Sequence, residues 1–101
     1  MNVMYLTQLV YVNPGKETAF HAFENVAIPL MSKHGGQLLL RVRPTPGCIV
    51  AAEIEVPYEL HVVRFNSGQD FEAFSEDPAR QRVLHLKNES VRSATLIRGT
   101  T

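Results

Sequence analysis

Residues 19–43 read AFHAFENVAIPLMSKHGGQLLLRVR, and the order of patterns in this stretch decides the fold. Ala19, Phe20, Phe23, Ala27, Leu30, Met31 and His34 recur at three- and four-residue spacing, which is one apolar stripe along a helix. Gly35-Gly36 follows and supplies the left-handed residue that closes a helix. From Gln37 to Arg43 (QLLLRVR) the helical period is gone and the residues suit a strand. Pro29 lies inside the stripe and removes one backbone hydrogen bond, so a kink or broken turn is expected near Asn25.

Upstream, Val3–Val12 (VMYLTQLVYV) is apolar at both parities, with Val3, Tyr5, Leu9 and Tyr11 on one side and Met4, Leu6, Val10 and Val12 on the other. A strand covered on both faces reads this way, which makes it a central strand. Asn13 then caps the helix, with Pro14 at its first position. Downstream, Pro44-Thr45-Pro46-Gly47 signals a turn. Ile49–Val56 looks extended, a ribbon or a continuation of the preceding strand, limited to an edge by Pro57. Tyr58–Phe65 (YELHVVRF) is a third strand. Ser67 with Asp70 resembles a capping box for a helix carrying Phe71 and Phe74. Asp77-Pro78 restarts a second helical piece that runs through Val83, Leu84 and Leu86 to about Glu89, and Ser93–Arg98 is the last strand. The order is β-α-β-β-α-β, the split βαβ of the ferredoxin-like α+β fold with a four-stranded antiparallel sheet.

The 101 residues carry no repeat, low-complexity stretch or linker, so a single domain spanning 1–101 is expected. Apolar residues at 45% and charged residues at 20% fit a soluble globular chain and exclude a disordered one. Ten Lys and Arg balance ten Asp and Glu, which argues against a nucleic-acid groove or an anionic membrane surface. The third strand also lacks the glycines and paired aromatics with which an RNA-recognition motif stacks bases. The single cysteine, Cys48, rules out a disulfide framework and a multi-cysteine zinc site. No signal peptide or membrane-spanning run is legible, and the expectation is a cytoplasmic protein.

Two helices cover one face of a four-stranded sheet, so the other face needs water or a partner. We assign Leu38, Leu40, Val42, Leu60 and Val62 to the helix side, and Leu39, Arg41, Arg43, His61, Val63 and Phe65 to the open side. The open side then holds too much apolar surface to stay bare, and a homodimer packed sheet against sheet would cover it. Polar residues enclosed there, His61 and Arg41 above all, would line a small cavity.

The run Ile28-Pro29-Leu30-Met31-Ser32-Lys33-His34-Gly35-Gly36 into strand Gln37–Arg43, with Tyr58–Phe65, Phe71-x-x-Phe74, Asp77-Pro78 and Ser93–Gly99, resembles the dimeric α/β-barrel superfamily. Within it, the chain looks like an uncharacterised bacterial family of similar size. The resemblance spans nearly the whole chain and rests on structural motifs. It implies a ferredoxin-like protomer, a homodimer whose sheets form a barrel, and a pocket between sheet and helices. Superfamily relatives include cofactor-free antibiotic-biosynthesis monooxygenases, muconolactone isomerase, haem-degrading enzymes and stress-responsive proteins, so the fold does not choose the chemistry.

The candidate residues follow from the cavity. His61 as a neutral imidazole is suited to take a proton from a substrate, and its bland alternative is an interface histidine bonded to a neighbour. Arg41 can clamp a ligand carboxylate or pair with Glu59 or Glu55. Tyr5 and Tyr11 share parity and offer hydroxyls to a ligand, or serve as core aromatics. His34 suits a helix C-terminus, His21 and His85 read as surface or boundary residues, and the four histidines share no metal-binding spacing. Cys48 reads as an inert thiol, Glu53 and Glu55 as a solvated edge, and Arg80, Arg82, Lys87 and Arg92 as a solvated face. The sequence calls for no cofactor. It points to a small-molecule-binding dimer, with a cofactor-free oxygenase or isomerase as its catalytic form and His61 as base. The alternative is a regulatory or structural dimer whose barrel is filled by its own side chains.

Overall fold

The computed structural model describes residues 2–100. Its strands are β1 (Met4–Val12), β2 (Gly36–Val42), β3 (Glu59–Phe65) and β4 (Val91–Thr100). Helix α1 (Glu17–Leu30) joins β1 to β2, and α2 (Gly68–Ser75), α3 (Pro78–Arg82) and α4 (Leu84–Ser90) join β3 to β4. The sheet order is β2-β3-β1-β4, and every neighbouring pair is antiparallel. This is the ferredoxin-like α+β arrangement expected from the element order.

The local signals act largely as their chemistry requires. The Ser67 hydroxyl accepts from the Asp70 N–H at 3.1 Å and opens α2. Asp77 Oδ1 accepts from the Ala79 N–H at 2.8 Å and opens α3 with Pro78 at its first position. Gly35 sits at φ +69° after a tight turn over Met31–His34 and closes the first helical unit. A Cβ at Gly36 would overlap the Phe65 ring, so this glycine lets the strand pass beside the core.

Four details differ from the sequence reading. Helix α1 begins at Glu17, because Asn13-Pro14 makes a turn in which Gly15 has φ +85° and its N–H bonds the Glu17 carboxylate. Pro29 leaves α1 unbroken at Asn25, and the chain tightens past Leu30 instead. The last helical piece is split at Val83 into α3 and α4. Ile49–Val56 forms no strand: it is an exposed loop tied to β1 by the Tyr58 N–H on Val10 O and by the Tyr11 hydroxyl on Glu55 O. Among the described residues no strand lies alongside to complete a ladder there.

The core lies between sheet and helices, where Met4, Leu6, Val63 and Phe65 meet Phe23, Ala27, Met31 and Phe74. Phe65 packs at 5.4 Å, centroid to centroid, against both Phe71 and Phe74. This reverses the face assignment made from sequence for β3 and for β2 beyond Leu39, while Leu38 lies on the helix side as assigned. On β3, Glu59, His61, Val63 and Phe65 are buried towards the helices, and Leu60 and Val62 look the other way. On β2 a bulge at Leu39 changes parity: Leu38 pairs with Val63, but Leu40 pairs with Val62 and Arg41 with His61. Leu40 and Val42 therefore share the open face with Leu60 and Val62, while Arg41, assigned from sequence to the open side, lies on the helix side with Arg43. The two parities of β3 are nearly equal in apolar content, and the larger Phe65 is what the helix phenylalanines accept.

Candidate functional site

Alternation along β3 puts Glu59 and His61 side by side on the helix-facing surface. His61 Nε2 lies 2.7 Å from Glu59 Oε1, and both side chains are essentially removed from solvent. The parity change on β2 brings Arg41 opposite His61, and Arg41 grips Glu59 with two bonds, Nε to Oε1 at 2.8 Å and Nη2 to Oε2 at 3.1 Å. Arg43 adds a third, Nε to Oε2 at 2.6 Å. Burial alone would raise the Glu59 carboxyl, but the bonds from Arg41, His61 and Arg43 outweigh it and hold the group at about 2. Glu59 is a fixed anion that orients the His61 ring. The Nδ1 atom of that ring makes no hydrogen bond among the described residues.

His61 forms part of the wall of a two-lobed cleft between sheet and helices. The inner lobe, about 50 Å³, is bounded by Val10, Phe20, Phe23, Glu24 and His61. The outer lobe, about 210 Å³, is bounded by Leu6, Val63, Phe65, Phe71 and half-exposed Leu96. Gln8, Met31, Phe74, Arg80 and Lys87 wall both lobes, so the two adjoin. The outer lobe exceeds the roughly 150 Å³ in which an apolar cavity accommodates benzene.

The charges in this cleft are poorly compensated. Glu24 on α1 is buried and has no hydrogen-bond or ion-pair partner among the described residues. Burial pushes its carboxyl up, against the pull of His61 and Arg41. Burial likewise pushes the half-buried Arg80 and Lys87 down, away from their charged forms. A carboxyl raised by burial and an imidazole held by a fixed anion thus face one space, an arrangement able to move protons on a bound molecule.

Of the residues named from sequence, the structure brings His61 and Arg41 together through Glu59, and the Arg41–Glu59 pairing is present. Tyr5 lies on the open face, 37% exposed, away from the cleft. The Tyr11 hydroxyl donates to Glu55 O at 2.8 Å, and its ring lies under Arg92. His34 meets Asp77 at 2.7 Å, and that bond leads the contacts holding the Asp77 carboxyl at about 2. His21 Nε2 lies 2.6 Å from the Tyr58 hydroxyl. The Cys48 thiol is exposed in its turn, and hydrogen bonds from Thr45 hold its pKa below the usual thiol value.

Sequence reasoning missed Glu24, and it read Arg80 and Lys87 as part of a solvated face, whereas both are half-buried in the wall of the cleft. Glu24 had a legible signal: it stands four residues after Phe20 and three before Ala27, an acid on the apolar stripe. Arg80 and Lys87 gave none, because the break at Val83 alters the phase between them. Among the described residues, no group of three or more His, Cys, Asp or Glu side chains could hold a metal ion, and no helix is long and apolar enough to cross a membrane.

No protein-family model matches the chain, and no curated protein matches it in sequence. Solved structures do. The chain superposes on the RPA0582 protein of Rhodopseudomonas palustris, described as of unknown function, with TM-score 0.84 and 16% identity, over 99% of this chain and 81% of that one. A dimeric ferredoxin-like protein of unknown function from Bacteroides fragilis gives TM-score 0.68 at 14% identity, over 98% and 96% of the two chains. A DABB-family protein with a ferredoxin-like fold from Mesorhizobium loti gives 0.67 at 11% identity, again over 98% and 96%. NIPSNAP-family and antibiotic biosynthesis monooxygenase-like structures share the arrangement. The antibiotic biosynthesis monooxygenase-like structures are of a kind named by the sequence resemblance, and what all these structures have in common with this chain is the ferredoxin-like fold.

Proposed function

We propose that the protein is a single-domain homodimer that binds a small organic molecule in the cleft between sheet and helices. Its catalytic form would be a cofactor-free isomerase, or an oxygenase for a substrate that activates oxygen once deprotonated. The observation that carries this reading is a polar set left short of partners in a cleft among phenylalanines: the Glu24 and Lys87 side chains form no hydrogen bond or ion pair among the described residues, and the Arg80 Nε is unsatisfied, with His61 in the same wall. A cleft of purely structural origin would favour apolar walls, since each unpaired buried polar group costs on the order of 1–3 kcal/mol. His61, held by Glu59, is the base in this reading, and Glu24 is the proton donor beside it.

The dimer would form through the open face, where Tyr5, Leu40, Val42 and Ile97 stand 37–55% exposed beside Leu60 and Val62. One neighbour in structure is described as dimeric, which supports this part of the reading. Native mass spectrometry of freshly purified protein, set against the denatured mass, tests both. Two chains carrying an additional small-molecule mass are expected. A single chain overturns the dimer. Two bare chains that no small aromatic compound stabilises against heat overturn the ligand site. With the bound compound as substrate, His61→Ala should abolish turnover while the dimer persists, and unchanged turnover removes His61 from the mechanism.

A further inference from the structure

The cleft's charges say what kind of molecule suits it. Glu59 spends its one negative charge on Arg41, Arg43 and His61, leaving none for the interior. Glu24 alone then stands against the two cations Arg80 and Lys87, neither of which forms an ion pair among the described residues. An excess of positive charge in a low-dielectric space attracts an anion strongly.

Arg80 adds geometry to charge. Its guanidinium lies over the rings of Phe23 and Phe74, 5.4 and 5.3 Å from their centroids, which fixes its plane. Nη1 donates to Ser75 O at 3.3 Å, but the buried Nε has no acceptor. Arg41 shows in this same molecule what a guanidinium takes, for its Nε and Nη2 hold both oxygens of the Glu59 carboxylate. The Arg80 Nε itself is closed off from solvent, while Nη2 of the same side chain forms no hydrogen bond among the described residues. The outer lobe beside it is about 210 Å³ and is walled by Phe65, Phe71 and Phe74, a space for one flat ring rather than for a hydrated oxyanion.

Building on the reading of this cleft as a ligand site, we propose that its ligand is a small aromatic carboxylate. Arg80 and Lys87 take the carboxylate, and the phenylalanine-lined outer lobe takes the ring.

Isothermal titration of the full chain at pH 7 with benzoate, and with the equally shaped neutral benzamide, tests this. Benzoate is expected to bind about tenfold or more tightly than benzamide. Lys87→Met should weaken benzoate roughly ten- to hundredfold and leave benzamide unaltered, since charged hydrogen bonds contribute on that scale. Arg80→Met should do the same, and Lys87→Met serves alone if the loss of Arg80 from its two rings prevents folding. Equal binding of the two probes overturns the anion proposal and leaves the cleft as a ligand site. Benzoate binding that survives both substitutions places the anion elsewhere and overturns the proposal. If neither probe binds, the proposal falls, and the native mass measurement decides separately whether the cleft holds a ligand.

Discussion

The two faces of the sheet solve opposite problems with nearly the same number of apolar side chains. The helix-facing surface buries Glu59 and His61 completely and compensates them with Arg41 and Arg43. The open surface places Leu40, Val42, Leu60, Val62 and Ile97 outward with little polar relief. Apolarity alone therefore does not mark the inside of this sheet. The helices choose the face whose residues fit their phenylalanines, and the buried Glu59 on that face is tolerated because Arg41, Arg43 and His61 all bond its carboxylate.

Removing the anion from the buried cluster should have the largest effect. Glu59→Gln leaves His61, Arg41 and Arg43 without their counter-charge and should destabilise the fold by roughly 3–5 kcal/mol in denaturant unfolding. A loss under about 1 kcal/mol would mean that water reaches the cluster and that the two faces differ less than the structure indicates.

Acid probes the same cluster without mutation. The Glu59 and Asp77 carboxyls are held down at about 2 when folded, so the stability they provide is present above the ordinary carboxylate range. It should be lost as pH falls from about 4.5 towards 2. Unfolding followed by circular dichroism along that range should steepen there, and in Glu59→Gln the limb should flatten.

On the open face, Val62→Lys places a charge at the centre of the proposed sheet-to-sheet contact. It should weaken the dimer by about a hundredfold, read by light scattering across a dilution series, with little change in the monomer's own fold. A dimer of undiminished affinity would move the interface off this face.

The smallest effect is expected at Glu24. Its carboxyl is raised by burial, so its charged form opposes folding at neutral pH. Glu24→Gln should stabilise the protein by about 1 kcal/mol at pH 8. The gain should vanish near pH 4, where the native carboxyl already carries its proton. A penalty at pH 8 would instead show that Glu24 has an ionic partner in the cleft.

Much of the fold was legible because its signals are local. The stripe from Ala19 to His34, the Gly35-Gly36 stop, the Ser67 and Asp77 caps and the four apolar strands each depend on neighbours in sequence. The site was half legible. His61 and Arg41 were singled out and do meet, but on the face opposite to the one assigned. Tyr5 and Tyr11 share their parity yet not their place, since the loop before Tyr58 folds over Tyr11 and claims its hydroxyl.

The sequence by itself determined the elements, their order and hence the ferredoxin-like sheet, because helix stops, caps and turns are short-range physics. Only the tertiary structure decided which face of that sheet became the inside. A one-residue bulge at Leu39 and the fit of Phe65 to Phe71 and Phe74 settle that choice, and both exist only once strands and helices have packed together. The same docking gathers Glu24, Arg80 and Lys87 around one space, where the loss of water gives each charge a weight that its place in the sequence does not reveal.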